Sequence, residues 1–122
     1  MPSGDAARPV MVWIHGGGNS IGHGGSYDGA RLATSQDVLI VTINYRLGPF
    51  GWFSHPALRS EGASAEDNSG NYGLLDAIAA LQWVRDNIAG FGGNPGKATI
   101  FGECEGARKV PMLMTMPPGR RQ

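Results

Sequence analysis

At 122 residues the chain has the length of one ordinary domain. Ten Lys plus Arg balance ten Asp plus Glu, which excludes the net charge that draws a protein to nucleic acid or a membrane surface and leaves small uncharged ligands as the better fit. One cysteine excludes an intrachain disulfide, and no apolar run approaches the roughly 20 residues of a membrane span, so partners of nucleic-acid or membrane type are not expected.

The opening residues MPSGDAARP hold no apolar signal-type run, and the first strand follows from Val10 to His15, a β-branched and aromatic run that stops at Gly16-Gly17-Gly18. Asp28 to Gln36 carries Ala30, Leu32 and Ala33 and reads as a short helix. Val38 to Tyr45 is a second buried strand. From Arg46 to Ser69 the pattern breaks, with Gly48-Pro49 and His55-Pro56, and a long surface loop over 46–69 is expected. Asn71 to Phe91 is helical: Leu74, Ile78, Leu81, Val84 and Ile88 recur at spacings of four and three, Asn71 is placed to cap the start and Gly90 to end it. After the turn Gly92 to Gly96, a third strand runs from Ala98 to Gly102, and a further helix should begin in an atypical tail over 107–122. Alternation of strand and helix predicts an α/β fold with a parallel sheet of about three strands and helices on both faces. If the second and third strands flank the first, the carboxyl ends of the first and third are neighbours, which brings the triple glycine beside Cys104.

Those two strand ends carry the chemistry. "GECEG", Gly102 to Gly106, has glycines two residues to either side of Cys104, the spacing of a sharp strand-to-helix turn that presents a nucleophile. A helix starting there aims its free amides and positive end at the sulfur, favouring a thiolate and the oxyanion of a tetrahedral intermediate. His15-Gly16-Gly17-Gly18 supplies further backbone donors, because residues without side chains let their N–H groups approach a carbonyl oxygen. Neither signal is specific alone, but the pair at adjoining strand ends points to acyl transfer.

The chain closely resembles the type-B carboxylesterases, the cholinesterase-like branch of the α/β-hydrolases. The resemblance rests on "VMVWIHGGG" from Val10, "YDGARLA" from Tyr27, "VTINYRLGPFGW" from Val41, "GNYGLLDAIAALQWVRDNIAGFGGNP" from Gly70 and "TIFGE" from Thr99, which together cover most of residues 9 to 103 in the family's order. It implies a single partial α/β-hydrolase domain over 1–122, whose strands are internal ones of a larger sheet, acting on a small carboxylic ester without a cofactor. By motif, Gly17 and Gly18 match the oxyanion glycines, Cys104 the nucleophile and Glu105 the residue giving the third oxyanion N–H. Gly16 and Glu103 are expected to line the substrate side.

Two of the five elbow residues depart from the family's Gly-Glu-Ser-Ala-Gly. A thiolate attacks esters, and the dienelactone hydrolases resemble this arrangement with cysteine at the elbow. Glu105 is the costlier change: a carboxylate about 5 Å from a developing oxyanion costs about 3 kcal/mol at an effective dielectric near 20 if it cannot turn away. No histidine matches the family's base. His23 reads as a surface or loop-bracing residue, with an approach to the thiol as the sharper alternative. Glu66, Asp67 and Asp76 read as surface or capping groups, not triad acids; Trp13, Trp52 and Trp83 as core or pocket wall; Met112, Leu113, Met114 and Met116 as apolar packing; Arg120 and Arg121 as a solvated end. Pro111 falls inside the helix that buttresses the elbow. The expected product is an ester-hydrolase module of weak or no activity, a fragment or degenerate copy of a longer esterase, with self-association through exposed sheet edges. The competing reading is a non-catalytic binding module like the cholinesterase-like adhesion proteins.

Overall fold

The computed structural model describes residues 7–116. Three strands, β1 (Arg8–Ile14), β2 (Leu39–Thr42) and β3 (Gly93–Gly102), form a parallel sheet in the order β2-β1-β3. Helices α1 (Ala30–Gln36), α2 (Gly48–Trp52) and α3 (Tyr72–Asn87) lie in the connections, and α4 (Glu105–Met114) follows β3. The expected strand order and the central place of the first strand are both found.

β1 is buried because its alternate residues serve two faces. Val10, Val12 and Ile14 are fully enclosed and join Ala77, Ile78, Val84 and Ile88 of the α3 region and Leu113 of α4 in one core. Each such burial removes apolar surface worth about 1.5–3 kcal/mol from water. On the other face Trp13 stacks on Tyr27 at 4.3 Å, and Gly29, just before α1, lies against Ile40. Leu74 and Leu81 pack at the margin of the core, so the stripe read from spacing is the buried one.

Several boundaries differ from expectation for local reasons. β2 stops at Thr42, because Gly24 crosses over Ile43 and its amide bonds the Asn44 side chain at 2.8 Å. Asn71 starts α3 through its carbonyl, which accepts from Leu74 and Leu75, and its side chain makes no cap bond. A 3-10 turn, Ile88–Phe91, then extends the helix past Gly90, and Gly92 ends it in the left-handed region at φ 84°. β3 begins at Gly93, because the Gly92 carbonyl accepts from Arg8 and an irregular register between Arg8 and Val10 absorbs the intervening residues. The 46–69 segment contains α2, started by Pro49 at its first turn, and a short 3-10 turn at Pro56–Leu58. Trp83 is surface-exposed, beside Phe91, and does not line the core. Met112 and Met114 are likewise exposed, whereas Leu113 is buried and Met116 partly so. Arg120 and Arg121 lie outside the described residues.

Candidate active site

Register decides which loops meet. Ile14, the last residue of β1, stands opposite Gly102, the last of β3, so both strands release their chains at the same rim of the sheet. The chain after β1 becomes the glycine loop, and the chain after β3 becomes the elbow. A Cβ on Gly16 would stand 2.9 Å from the Cβ of Cys104 and 2.9 Å from the Glu103 carbonyl, so only glycine lets the two segments touch this closely. Gly106 is under the stricter constraint, since a Cβ there would come within 1.9 Å of the Ile14 carbonyl oxygen.

Cys104 sits at φ 54°, ψ −122°, a strained conformation for a residue with a side chain, and serves as the N-cap of α4. Its thiol is exposed and free. The amide of Gly106 bonds the Glu103 carbonyl at 2.9 Å, while Arg108 N–H donates to the Cys104 carbonyl at 3.3 Å, closing the first turn. Helix geometry leaves the amide of Glu105, at the first position, without an intrahelical acceptor. Gly17 and Gly18 both take positive φ, at 110° and 60°; the Gly17 carbonyl accepts from Ser20 and Ile21, and Gly18 faces open space. A cleft of about 330 Å³ lies alongside, bounded by Gly18, Asn19, Ser20, Pro49, Trp52 and Phe53. A larger apolar concavity, about 410 Å³, lies between α3, β3 and α4 and includes neither loop nor elbow residues, so size does not select the site.

The glycine loop is anchored from beneath. Tyr45 is buried and its hydroxyl donates to the His15 carbonyl at 2.6 Å, with the two rings stacked at 4.4 Å. Burial first, and then the negative charges of Glu105 and Cys104, push the Tyr45 phenol up to about 12. His15 Nδ1 lies 2.7 Å from the Gly16 carbonyl, an acceptor only, so that nitrogen carries the proton and is committed to the loop. His15 Nε2 is buried with no protein partner among the described residues. His23 is exposed and His55 uses its Nδ1 to accept from Ala57, so both are loop histidines. Asp76 receives the backbone N–H, Nε and Nη2 of Arg46 at 2.8–2.9 Å; burial alone would raise its pKa, but these bonds outweigh it and lower it. Asp67 accepts from Ser64, and neither acid serves the elbow.

The Glu105 side chain is held at both of its oxygens. One carboxylate oxygen accepts from Asn19 at 3.2 Å and the other from Arg108 at 3.3 Å. Asn19 Oδ1 in turn accepts from Lys109 Nζ, which also lies 3.5 Å from the Glu105 carbonyl and over the rings of Tyr45 at 4.3 Å and Trp52 at 4.9 Å. Lys109 is 1 % exposed, and burial lowers its pKa while Glu105 and Cys104 pull it back upward. Sequence reasoning passed over Asn19, Tyr45 and Lys109. A signal existed for the last: Gly106, Lys109 and Leu113, the buried residues of α4, fall at spacings of three and four.

The family model described as the carboxylesterase family matches residues 1–122, extending the likeness into the tail. Liver carboxylesterase 1 of Oryctolagus cuniculus is 50% identical over 109 residues, 89% of this chain but 18% of that protein. Fumonisin B1 esterase of Sphingopyxis macrogoltabida is 49% identical over 116 residues, covering 93% of this chain and 21% of the relative. Among solved structures, a thermophilic PNB esterase superposes with a TM-score of 0.80 at 46% identity, over 95% of this chain and 23% of that one. A carboxylesterase of Geobacillus stearothermophilus gives 0.81 at 46% identity, over 92% and 23%. The chain thus spans about a fifth of the length of these relatives and adopts part of the α/β-hydrolase fold they share.

Proposed function

Because the chain belongs to the carboxylesterase family, we propose that it carries the nucleophile and oxyanion half of a carboxylic-ester hydrolase site, with Cys104 as the attacking group. The reading assigns the amides of Gly17, Gly18 and Glu105 to the oxyanion and places the substrate against Gly16 and Glu103. The Cys104 sulfur bonds the ester carbonyl carbon, the C–O bond breaks, the alcohol departs with a proton, and a thioester remains that water splits to acid and free thiol. What carries the reading is the contact of Gly16 with Cys104 at the start of α4.

His15 is committed to its own loop, His55 braces a turn and His23 is exposed; the proposed chemistry therefore acylates faster than it turns over. Mixing the chain with p-nitrophenyl acetate is expected to release nitrophenol in a burst near one equivalent, followed by slow release, and Cys104→Ala abolishes the burst. Equal traces for the two proteins sink the reading and leave the non-catalytic binding module in its place. The outer edges of β2 and β3, unpaired among the described residues, support edge-to-edge self-association. A single concentration-independent monomer boundary in sedimentation velocity overturns that part.

A further inference from the structure

Lys109 is a buried cation that the proposed ester chemistry leaves without a task. Its neighbours share one character. The nitrogen meets the Asn19 side-chain oxygen and the Glu105 carbonyl, both acceptors, and two aromatic faces, Tyr45 and Trp52. Acceptors and ring faces are surroundings that satisfy an ammonium. Asn19 is the hinge of the arrangement. It sits at φ 61°, a left-handed conformation that asparagine tolerates, and its carbonyl accepts from Gly48 at 2.6 Å. Its side chain accepts from Lys109 and donates to Glu105, so one residue of the glycine loop joins both ends of a charge pair on α4.

We propose that Lys109 is a positioning residue of this site: through Asn19 it pins the glycine loop to the elbow helix, and its charge cancels that of Glu105 at the Cys104 sulfur. The inference rests on Cys104 being the working nucleophile. It explains how a carboxylate is accommodated beside an oxyanion hole, where alone it would oppose both the thiolate and the tetrahedral intermediate. The charged or titratable groups facing Lys109 are Glu105 and Cys104 on its own element and the neutral phenol of Tyr45 from the segment after β2; Arg108 reaches Glu105 from the solvent side.

The test reads the thiol and not the ester reaction. Cys104 is the single cysteine, so iodoacetamide labels it alone: the thiol first loses its proton to buffer, then an S–C bond forms as the C–I bond breaks and iodide leaves. The pH midpoint of alkylation is measured on the full chain for the parent, Lys109→Met, Glu105→Gln and the double variant. Lys109→Met is expected to raise the midpoint by about one pH unit, Glu105→Gln to lower it, and the double variant to return near the parent. A purely structural lysine gives a double variant as displaced as Lys109→Met, and that result, or an unmoved midpoint in Lys109→Met, overturns the proposal. Should circular dichroism show Lys109→Met unfolded, Glu105→Gln decides: a midpoint at or above the parent's overturns it. A parent with no nitrophenol burst but the predicted order of midpoints defeats the ester reading alone: Lys109 still balances Glu105 at the Cys104 sulfur, but there is no catalytic site for it to position.

Discussion

The rim where the glycine loop meets the elbow and the surface segment 53–69 are both turns between regular elements, yet they are held by opposite means. At the rim main chain lies against main chain: Gly106 has no room for a Cβ beside the Ile14 carbonyl, and Gly16 has almost none beside Cys104. In 53–69 the chain is stitched by short side-chain bonds, such as Ser64 Oγ to Asp67 and Ser60 N–H to Asn68, nearly all of them exposed. A backbone contact fixes geometry to a fraction of an ångström and tolerates no added atom, whereas solvated local bonds each contribute little and are replaceable by water. Precision is therefore concentrated at the rim, where the proposed chemistry needs it.

The severest way to break this contrast is Gly106→Ala. With its Cβ 1.9 Å from the Ile14 oxygen, β1 and α4 must separate, and the expected loss is about 3 kcal/mol or more, seen as a fall in the urea midpoint together with loss of the nitrophenol burst. An unfolding free energy within about 0.5 kcal/mol of the parent's, the range of a surface substitution, would show that the rim is looser than its geometry.

Tyr45→Phe probes the rim from beneath. It removes the hydroxyl that bonds the His15 carbonyl at 2.6 Å and leaves that oxygen unpaired, at a cost of about 2 kcal/mol. The pH dependence has a definite sign. The phenol ionises near 10 in the unfolded chain and at about 12 in the folded one, so its contribution is complete below pH 10 and is lost between pH 10 and 12. The stability gap between parent and Tyr45→Phe, measured by urea titration, should therefore narrow over that window. Lys109 runs the other way: its lowered folded pKa makes stability rise with pH up to its unfolded value of about 10.5.

Asp76→Asn is the milder test on α3. The pair with Arg46 is half exposed, so the expected loss is about 1 kcal/mol, with the burst intact. Because the folded carboxyl titrates below its ordinary value, this stability is present above about pH 4 and disappears as pH falls through the folded pKa. Parent and variant urea midpoints should converge in acid; a constant difference would assign the loss to packing.

How much of this was legible in the sequence follows from the same contrast. Strand order and the meeting of loop with elbow were readable, because long β-branched runs and glycine clusters mark buried strands and close approaches regardless of what surrounds them. α2 was missed because Gly48-Pro49 punctuates a loop as readily as it opens a helix. β3 was begun too late because Gly93 to Lys97 has turn composition, and only pairing with Arg8 draws its start into the sheet. The charge network was hidden for another reason. A lysine in a helix ordinarily reads as solvated, and Lys109 becomes buried only once Asn19, Tyr45 and Trp52, all distant in sequence, are folded around it.

The smallest predicted effect sharpens the contrast by reversing its sign. Gly90 lies in the 3-10 turn after α3, exposed, without positive φ, and a Cβ there would meet no atom within 4 Å. Alanine at this position narrows the unfolded ensemble and adds no clash, so Gly90→Ala is expected to stabilise the fold by about 0.5 kcal/mol. The urea midpoint should rise slightly while the burst stays unchanged. If Gly90→Ala instead destabilises as Gly106→Ala does, glycine at both positions would answer to some common demand of the chain, and close backbone contact would no longer distinguish the rim from the rest of the molecule.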